Sequence, residues 1–430
     1  MDILIFEVDK MKLKLARIIT KAYNKINSKE YMERFRMNKN DFTRNRKLSF
    51  PELCLMIIKS GKRGLRVGID EFLTESKSEI DSYSKAAFCK ARKKISPEAF
   101  KELFRETVTD FYSEEKVKTF KGYRVLAIDG SDFNLPNNKE IIEFYGAQNS
   151  KGAPQAQAVC SCLYDVLNEI IVDAALEPQS FNERNAAQNH IEYLSTISSG
   201  KEILLMDRGY PSETILKLIA NKGFNYVIRA EKNNFFREVR KVESEDEIIE
   251  RKISKDEVLK IRVLNIQLPN GTVETLLTNI NDSCFSTEDF ALLYKMRWNI
   301  ETKYDDLKNK FMIEDFTGIS PICIQQDFYA TMFLSNLLTY LKLDNQKKVN
   351  ALNKSKNKKH EMQINTSAAV YELKTNVVEL FFASSKVKFY SIFRKIQKTL
   401  LDTLLPVRPD RSFEHTFRLS SKFSNNNKLR

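Results

Sequence analysis

The chain has 430 residues, of which 42% are hydrophobic and 11% aromatic, with a net charge of +13 and six cysteines. That is enough apolar material for two or three domains, and no apolar run approaches the ~20 residues needed to span a bilayer. The scattered cysteines and three histidines leave few ligands for a zinc site, and acids at positions 2, 7 and 9 interrupt any secretory leader, which points to a reducing, cytoplasmic setting. The charge is uneven. Residues 1–120 hold 27 Lys+Arg against 18 Asp+Glu, residues 345–430 hold 18 against 6, and residues 121–344 hold 25 against 33. Two basic flanks around an acidic centre suit a polyanion bound by the flanks and a metal held by the centre; a solvated basic surface is the plainer reading.

Residues 1–120 read as helical. "SYSKAAFCKARKKI" leads into "SPEAFKELFRETVTDFY", where Ser96 can cap a helix and Pro97 fits its first turn. Phe88, Ala91 and Ile95 against Phe100, Leu103 and Phe104 make two packed helices, with Lys90, Arg92, Lys93 and Lys94 decorating the first. This is a DNA-binding helical pair or a plain bundle.

The texture then changes. "YRVLAIDGSDF" is a buried strand ending in Asp129. "AQAVCSCLYDVLNEIIVDAALEP" gives two strands joined by a turn near Asp165 to Asn168, with Cys160 and Cys162 on one side and poorly placed to bridge. "NERNAAQNHIEYLSTI" is helical. "KEILLMDRGYPS" repeats the first pattern and ends its apolar run in Asp207. A helix over Ser212 to Lys222 and the strand "FNYVIRA" follow. Residues 233–285 are strand-rich, with a hairpin turning at Asn270-Gly271.

"LLYKMRWNIETKYDDLKNKF", Leu292 to Phe311, reads as one amphipathic helix. At 100° per residue, Leu293, Met296, Ile300, Tyr304, Leu307 and Phe311 share an apolar strip, and Tyr294, Arg297, Glu301 and Lys308 share its edge. Read alone, that edge is a set of helical ion pairs, Arg297 with Glu301. Beyond it, "NQKKVNALNKSKNKK" (345–359) reads as a basic linker, followed by a helical tail and a disordered end, "SKFSNNNKLR". The element order predicts a mixed α/β layer fold.

Asp129 and Asp207 each terminate a four-residue apolar run, and a carboxylate at the end of a buried strand is costly unless solvated, paired or metal-bound. With Glu301 they make three carboxylates that could converge on Mg²⁺ or Mn²⁺. On these residues the sequence resembles the DDE transposases of the bacterial insertion-sequence-four type. The aspartates stand in "LAIDGSDFNLP" and "LLMDRGY", and Tyr294, Arg297, Glu301 and Lys308 match that family's tyrosine–arginine–glutamate–lysine signature.

The resemblance implies a ribonuclease-H-like core over 121–344 with a β-rich insertion at about 233–285, a helical DNA-binding region at 1–120 and a basic linker with a helical region at 345–430. It implies that Asp129, Asp207 and Glu301 hold two Mg²⁺ or Mn²⁺ ions and that Tyr294, Arg297 and Lys308 contact DNA. It implies a homodimer in a synaptic complex with double-stranded transposon ends and target. Better-known members flip a base onto a tryptophan of the insertion. Here the only tryptophan, Trp298, lies on the signature helix, and Phe235 or Phe236 would have to serve. A nuclease that cannot join strands, and an inactive DNA-binding remnant, are the rival readings.

Overall fold

The computed structural model describes residues 13–408 apart from 45–46, 60–63, 77–81, 115–116, 149–153, 199, 233–234, 255–257, 269 and 356–359. The end "SKFSNNNKLR" and residues 356–359 of the expected linker therefore lie outside the described residues. The chain forms two compact units, one of residues 1–94 with 340–430 and one of residues 95–339.

The first unit opens with α1 (Lys14–Ile26), α2 (Lys29–Phe35), α3 (Phe50–Lys59), α4 (Leu65–Ser76) and α5 (Lys85–Arg92). Leu15, Ile18, Ile19, Ala22 and Ile26 recur at helical spacing on α1 and are buried. Arg92 does not decorate the surface: it is buried, its guanidinium 5.6 Å from the Phe88 ring, where its long stem packs as an apolar group.

The second unit begins with α6 (Glu98–Glu114), with Ser96 Oγ accepting from the Glu98 N–H. Then come β1 (Arg124–Asn134), α7 (Lys139–Tyr145), β2 (Ala147–Gln148), β3 (Gln155–Asp165), β4 (Ile170–Pro178), α8 (Glu183–Ile197), β5 (Glu202–Met206), α9 (Glu213–Asn221) and β6 (Asn225–Ala230). α10 (Arg237–Arg240), β7 (Asp246–Lys252), β8 (Val258–Gln267), β9 (Val273–Thr278), α11 (Thr287–Met296) and α12 (Trp298–Asp305) follow, then a π-helical turn at Asp306–Lys310. α13 (Pro321–Ser355) runs from this unit into the first, which α14 (Thr366–Phe381), α15 (Lys386–Asp402) and the short β10 (Met362–Gln363) and β11 (Leu405–Pro406) complete.

Among the described residues nine strands form one sheet, so the expected mixed α/β fold is present. β3 lies between β4 and β1, antiparallel to both. β1, β5 and β6 run parallel, and β9, β8 and β7 continue antiparallel. Val125, Leu126, Ala127 and Ile128 of β1 and Ile203, Leu204, Leu205 and Met206 of β5 are wholly buried, as interior strands covered on both faces require. The expected hairpin joins β8 to β9, with Gly271 at φ +81°, a conformation glycine adopts without a side-chain clash.

Alternation along β3 sorts the helices onto the two faces. Ser161 meets His190 of α8, while Tyr304 of α12 bonds the carbonyls of Asp129 and Cys160. Cys160 and Cys162 share a side, their sulfurs 3.8 Å apart and unbridged.

Two departures concern helix length and pitch. The expected linker is helical as far as Ser355. Asn345 and Val349 are buried one turn apart, and Asn345 accepts from Gln397 at 2.6 Å, so a tertiary face overrides a polar composition. The signature helix is also not one regular cylinder. Its hydrogen bonding breaks at Arg297, whose N–H reaches the Tyr294 carbonyl, and it widens into the π turn from Asp306. No helix among the described residues is long and apolar enough to cross a membrane.

Candidate carboxylate site

β1 and β5 run in register with Ala127 opposite Leu205. Two residues past this last pair come Asp129, still on β1, and Asp207, just beyond the end of β5. Asp129 pairs with Cys162 across β3, which puts its side chain on the face covered by α12. From α12, Arg297 reaches down between two carboxylates: Nη1 donates to Asp129 Oδ2 at 3.2 Å and Nη2 to Glu301 Oε1 at 2.8 Å. The ion pair of Arg297 with Glu301 thus exists, but it is half of a bridge between helix and strand.

The burial of these groups is graded. The side chain of Arg297 is 9% exposed, that of Asp129 17% and that of Glu301 39%. Burial raises the Asp129 carboxyl to about 6. The Arg297 charge and the Gly130 N–H oppose this, and the nearby carboxylates of Asp207 and Glu301 add to it. Asp207 is half-buried, and its Oδ1 accepts the Gly209 N–H at 2.8 Å, which fixes the turn after β5.

The other signature residues flank this group. Lys308 lies in the π turn and donates to Ser131 Oγ at 2.8 Å, two residues along β1 from Asp129. Tyr294 is buried beside Arg297, the guanidinium 5.7 Å from its ring, and burial pushes its hydroxyl's pKa up. Of the expected strip, Arg297 and Glu301 join the aspartates, Lys308 stands beside β1, and Tyr294 supports Arg297 from behind. Leu293, Ile300, Tyr304, Leu307 and Phe311 of the apolar strip are buried. Trp298 is 56% exposed. Phe235 and Phe236 stack on each other with centroids 4.0 Å apart, and Arg251 covers Phe236 at 3.9 Å, so these rings already have partners.

Three neighbours are given no site role by the sequence reading, although Tyr304 stands in the apolar strip and Tyr210 ends "LLMDRGY". Tyr304 donates to the Asp129 carbonyl at 2.7 Å and so locks α12 to β1. Glu183 begins α8 and lies against Gly130: a Cβ at Gly130 would stand 3.0 Å from Glu183 Oε1. Tyr210 is 1% exposed, and its hydroxyl has no hydrogen-bond partner among the described residues. Glu183 is an ordinary first-turn helix acid by sequence, and Tyr210 an ordinary apolar-side aromatic.

The donor set suits a hard divalent cation, since it is all carboxylate oxygen with Asp129 held at an unfavourable ionisation. Among the described residues no group of three or more His, Cys, Asp or Glu side chains stands at metal-holding spacing. Arg297 lies between two of the three carboxylates and neutralises them as a cation would.

The family model described as "Transposase DDE domain" matches residues 120–337, which take in the sheet and the helices around these carboxylates. Over 271 residues the chain is 25% identical to the transposase InsG for insertion sequence element IS4 of Escherichia coli K12, covering 59% of this chain and 60% of that protein. Over 155 residues it is 27% identical to the putative transposase InsZ of the same organism, covering 35% and 50%. The chain thus spans 60% or less of the length of these curated relatives. A cryo-EM structure of a piggyBac transposase synaptic complex with hairpin DNA aligns over 92% of this chain and 88% of that one, at 10% identity and a TM-score of 0.47. The match over residues 120–337 covers just over half of the chain, and this protein belongs to the transposase DDE domain family.

Proposed function

We propose that this chain is a transposase of the insertion-sequence-four type. In this reading it binds the double-stranded ends of its element, cleaves them by metal-assisted hydrolysis and joins the freed 3′ hydroxyl to target DNA. The observation that carries the reading is the Arg297 bridge, which brings carboxylates of β1 and α12 to one guanidinium. The strand order β4-β3-β1-β5-β6, antiparallel then parallel, supports a ribonuclease-H-like core.

Asp129, Asp207 and Glu301 would hold Mg²⁺ or Mn²⁺, as two ions in the proposal. Bound there, the ions supply activation of the attacking oxygen and stabilisation of the leaving oxygen. The chain's own groups do the rest. Tyr304 and the interior strand β1 fix the Asp129 backbone, and the Gly209 N–H fixes the Asp207 carboxylate. Arg297 releases the carboxylates and takes a phosphate oxygen, with Lys308 and Tyr294 beside it as the other proposed DNA contacts. The basic region 1–120 is the proposed end-binding part, and two copies would pair two ends.

The test uses one labelled duplex carrying the element's end. Glu301→Gln keeps the shape but removes a charged ligand, so nicking in Mg²⁺ should fall by several orders of magnitude while gel-shift binding in EDTA stays level or tightens. Arg297→Ala should in addition weaken binding of the cleaved end by about 1–3 kcal/mol. Nicking by Glu301→Gln at near wild-type rate would overturn the proposal. Nicking without strand joining by the wild type would reduce it to a nuclease.

A further inference from the structure

Glu183 meets the carboxylate site from the sheet face opposite to α12, and Tyr210 from the loop that follows β5. Gly130 pairs with Ser161, the residue that His190 of α8 bonds, so Gly130 faces α8. With no side chain at Gly130, the Glu183 carboxylate can lie against β1 one residue past Asp129; an alanine Cβ would crowd it at 3.0 Å. The next residue, Arg184, donates from Nε to the Gly209 carbonyl at 2.9 Å, and the Gly209 N–H holds Asp207. The first turn of α8 is therefore tied to the turn that carries Asp207. Burial raises the Glu183 carboxyl, and the charges of Asp207 and Asp132 raise it further.

Tyr210 closes the same corner. It lies three residues past Asp207 and is 1% exposed. Burial raises its hydroxyl's pKa most, the charges of Asp129, Glu183 and Asp207 add to this, and Arg297 opposes it. A buried hydroxyl without an acceptor costs about 1–3 kcal/mol. Nearby, Asp129 Oδ1 and Asp207 Oδ1 already accept the Gly130 and Gly209 N–H groups. With its backbone N–H on the Asp207 carbonyl at 3.3 Å and its hydroxyl buried without a partner, Tyr210 is placed to donate to an oxygen that arrives with a ligand.

We propose that Glu183 and the Tyr210 hydroxyl form the outer ring of the carboxylate site, seating the water ligands of a divalent cation held by Asp207. Glu183 accepts hydrogen bonds from those waters, and Tyr210 donates to the oxygen on the inner side. Both are positioning residues, and the inference rests on the metal-binding reading above. Outer partners of this kind change metal affinity about ten- to a hundredfold.

The experiment is Mn²⁺ titration of the full chain after EDTA treatment, read by the loss of the free-ion electron paramagnetic resonance signal. Glu183→Gln and Tyr210→Phe should each lower affinity about ten- to a hundredfold with the number of bound ions unchanged. Glu183→Asp should recover part of the loss. Glu192→Gln, which removes the same charge further along α8, should bind like wild type, and melts in EDTA should place all these variants near wild type. Wild-type affinity in both Glu183→Gln and Tyr210→Phe overturns the inference. So does a lowered melting temperature in Glu183→Gln without a change in Mn²⁺ affinity, the signature of a helix-dipole role alone. A wild-type chain that takes up no Mn²⁺, or a Glu301→Gln chain that takes it up unchanged, overturns the proposed function itself.

Discussion

Arg297 is the counter-ion of two carboxylates at once, one on β1 and one on α12. While it bridges Asp129 and Glu301, its removal leaves a largely buried carboxylate uncompensated, which typically costs a few kcal/mol. The exposure of Glu301 reduces its share. Arg297→Ala should therefore melt at a visibly lower temperature than wild type in EDTA, and Mn²⁺ should restore most of the difference by taking the vacated charge position. Equal destabilisation with and without Mn²⁺ would show that Arg297 only packs. At this scale the sequence was informative where chemistry contradicts its surroundings. Asp129 and Asp207 end apolar runs, and Glu301 sits on the edge of an apolar strip. Glu183 and Tyr210 had no such contrast, because an acid in a first helical turn and an aromatic after a strand are both ordinary. Only the fold brings Glu183 to Gly130, and only the fold buries the Tyr210 hydroxyl without a partner.

α8 is held to the sheet by a buried polar chain. His190 Nδ1 meets Asp173 Oδ2 at 2.9 Å, Nε2 meets Ser161 at 3.1 Å, and Arg105 of α6 donates to Asp173 Oδ1 at 2.9 Å. Burial works to raise the Asp173 carboxyl, but His190 and Arg105 outweigh it and hold it below its usual range. Such a group stabilises the fold above its unfolded pKa of about 3.9, and that contribution is lost as pH falls through the lower folded value. The metal-free chain should accordingly lose stability below about pH 4, and Asp173→Asn should melt lower at neutral pH with a flatter profile from pH 4 downward. Parallel profiles for the two proteins would remove Asp173 from the acid transition. Serine, histidine and aspartate in this order resemble a nucleophile relay, but all three are buried between helix and sheet and act as a clamp. Elements of this kind were legible in outline, since runs of four apolar residues and the Asn270-Gly271 turn fix strands and a hairpin by local rules. The π turn at Asp306–Lys310 and the helical stretch Asn345–Ser355 were not, because both are set by partners far away in the chain.

The two units differ in charge more sharply than the sequence blocks do. Residues 1–94 with 340–430 hold 42 Lys+Arg against 19 Asp+Glu, and residues 95–339 hold 28 against 38. Binding of the full chain to end DNA should weaken steeply with salt, each neutralised phosphate adding about −0.9 to the log–log slope. Eight charge reversals of lysines in the first unit should flatten that slope, while the same number of neutralised acids on the surface of the second should leave it nearly unchanged. A slope that ignores the first unit would move end binding elsewhere. That unit is also assembled from both ends of the polypeptide: the N–H groups of Lys14 and Leu15, which start α1, are capped by the carboxylate of Asp344 at 3.0 and 2.9 Å. During synthesis, α1 leaves the ribosome more than three hundred residues before its cap does. The basic unit can therefore finish folding only after Asp344 has been made, and a product terminated before it carries the acidic sheet with α1 uncapped.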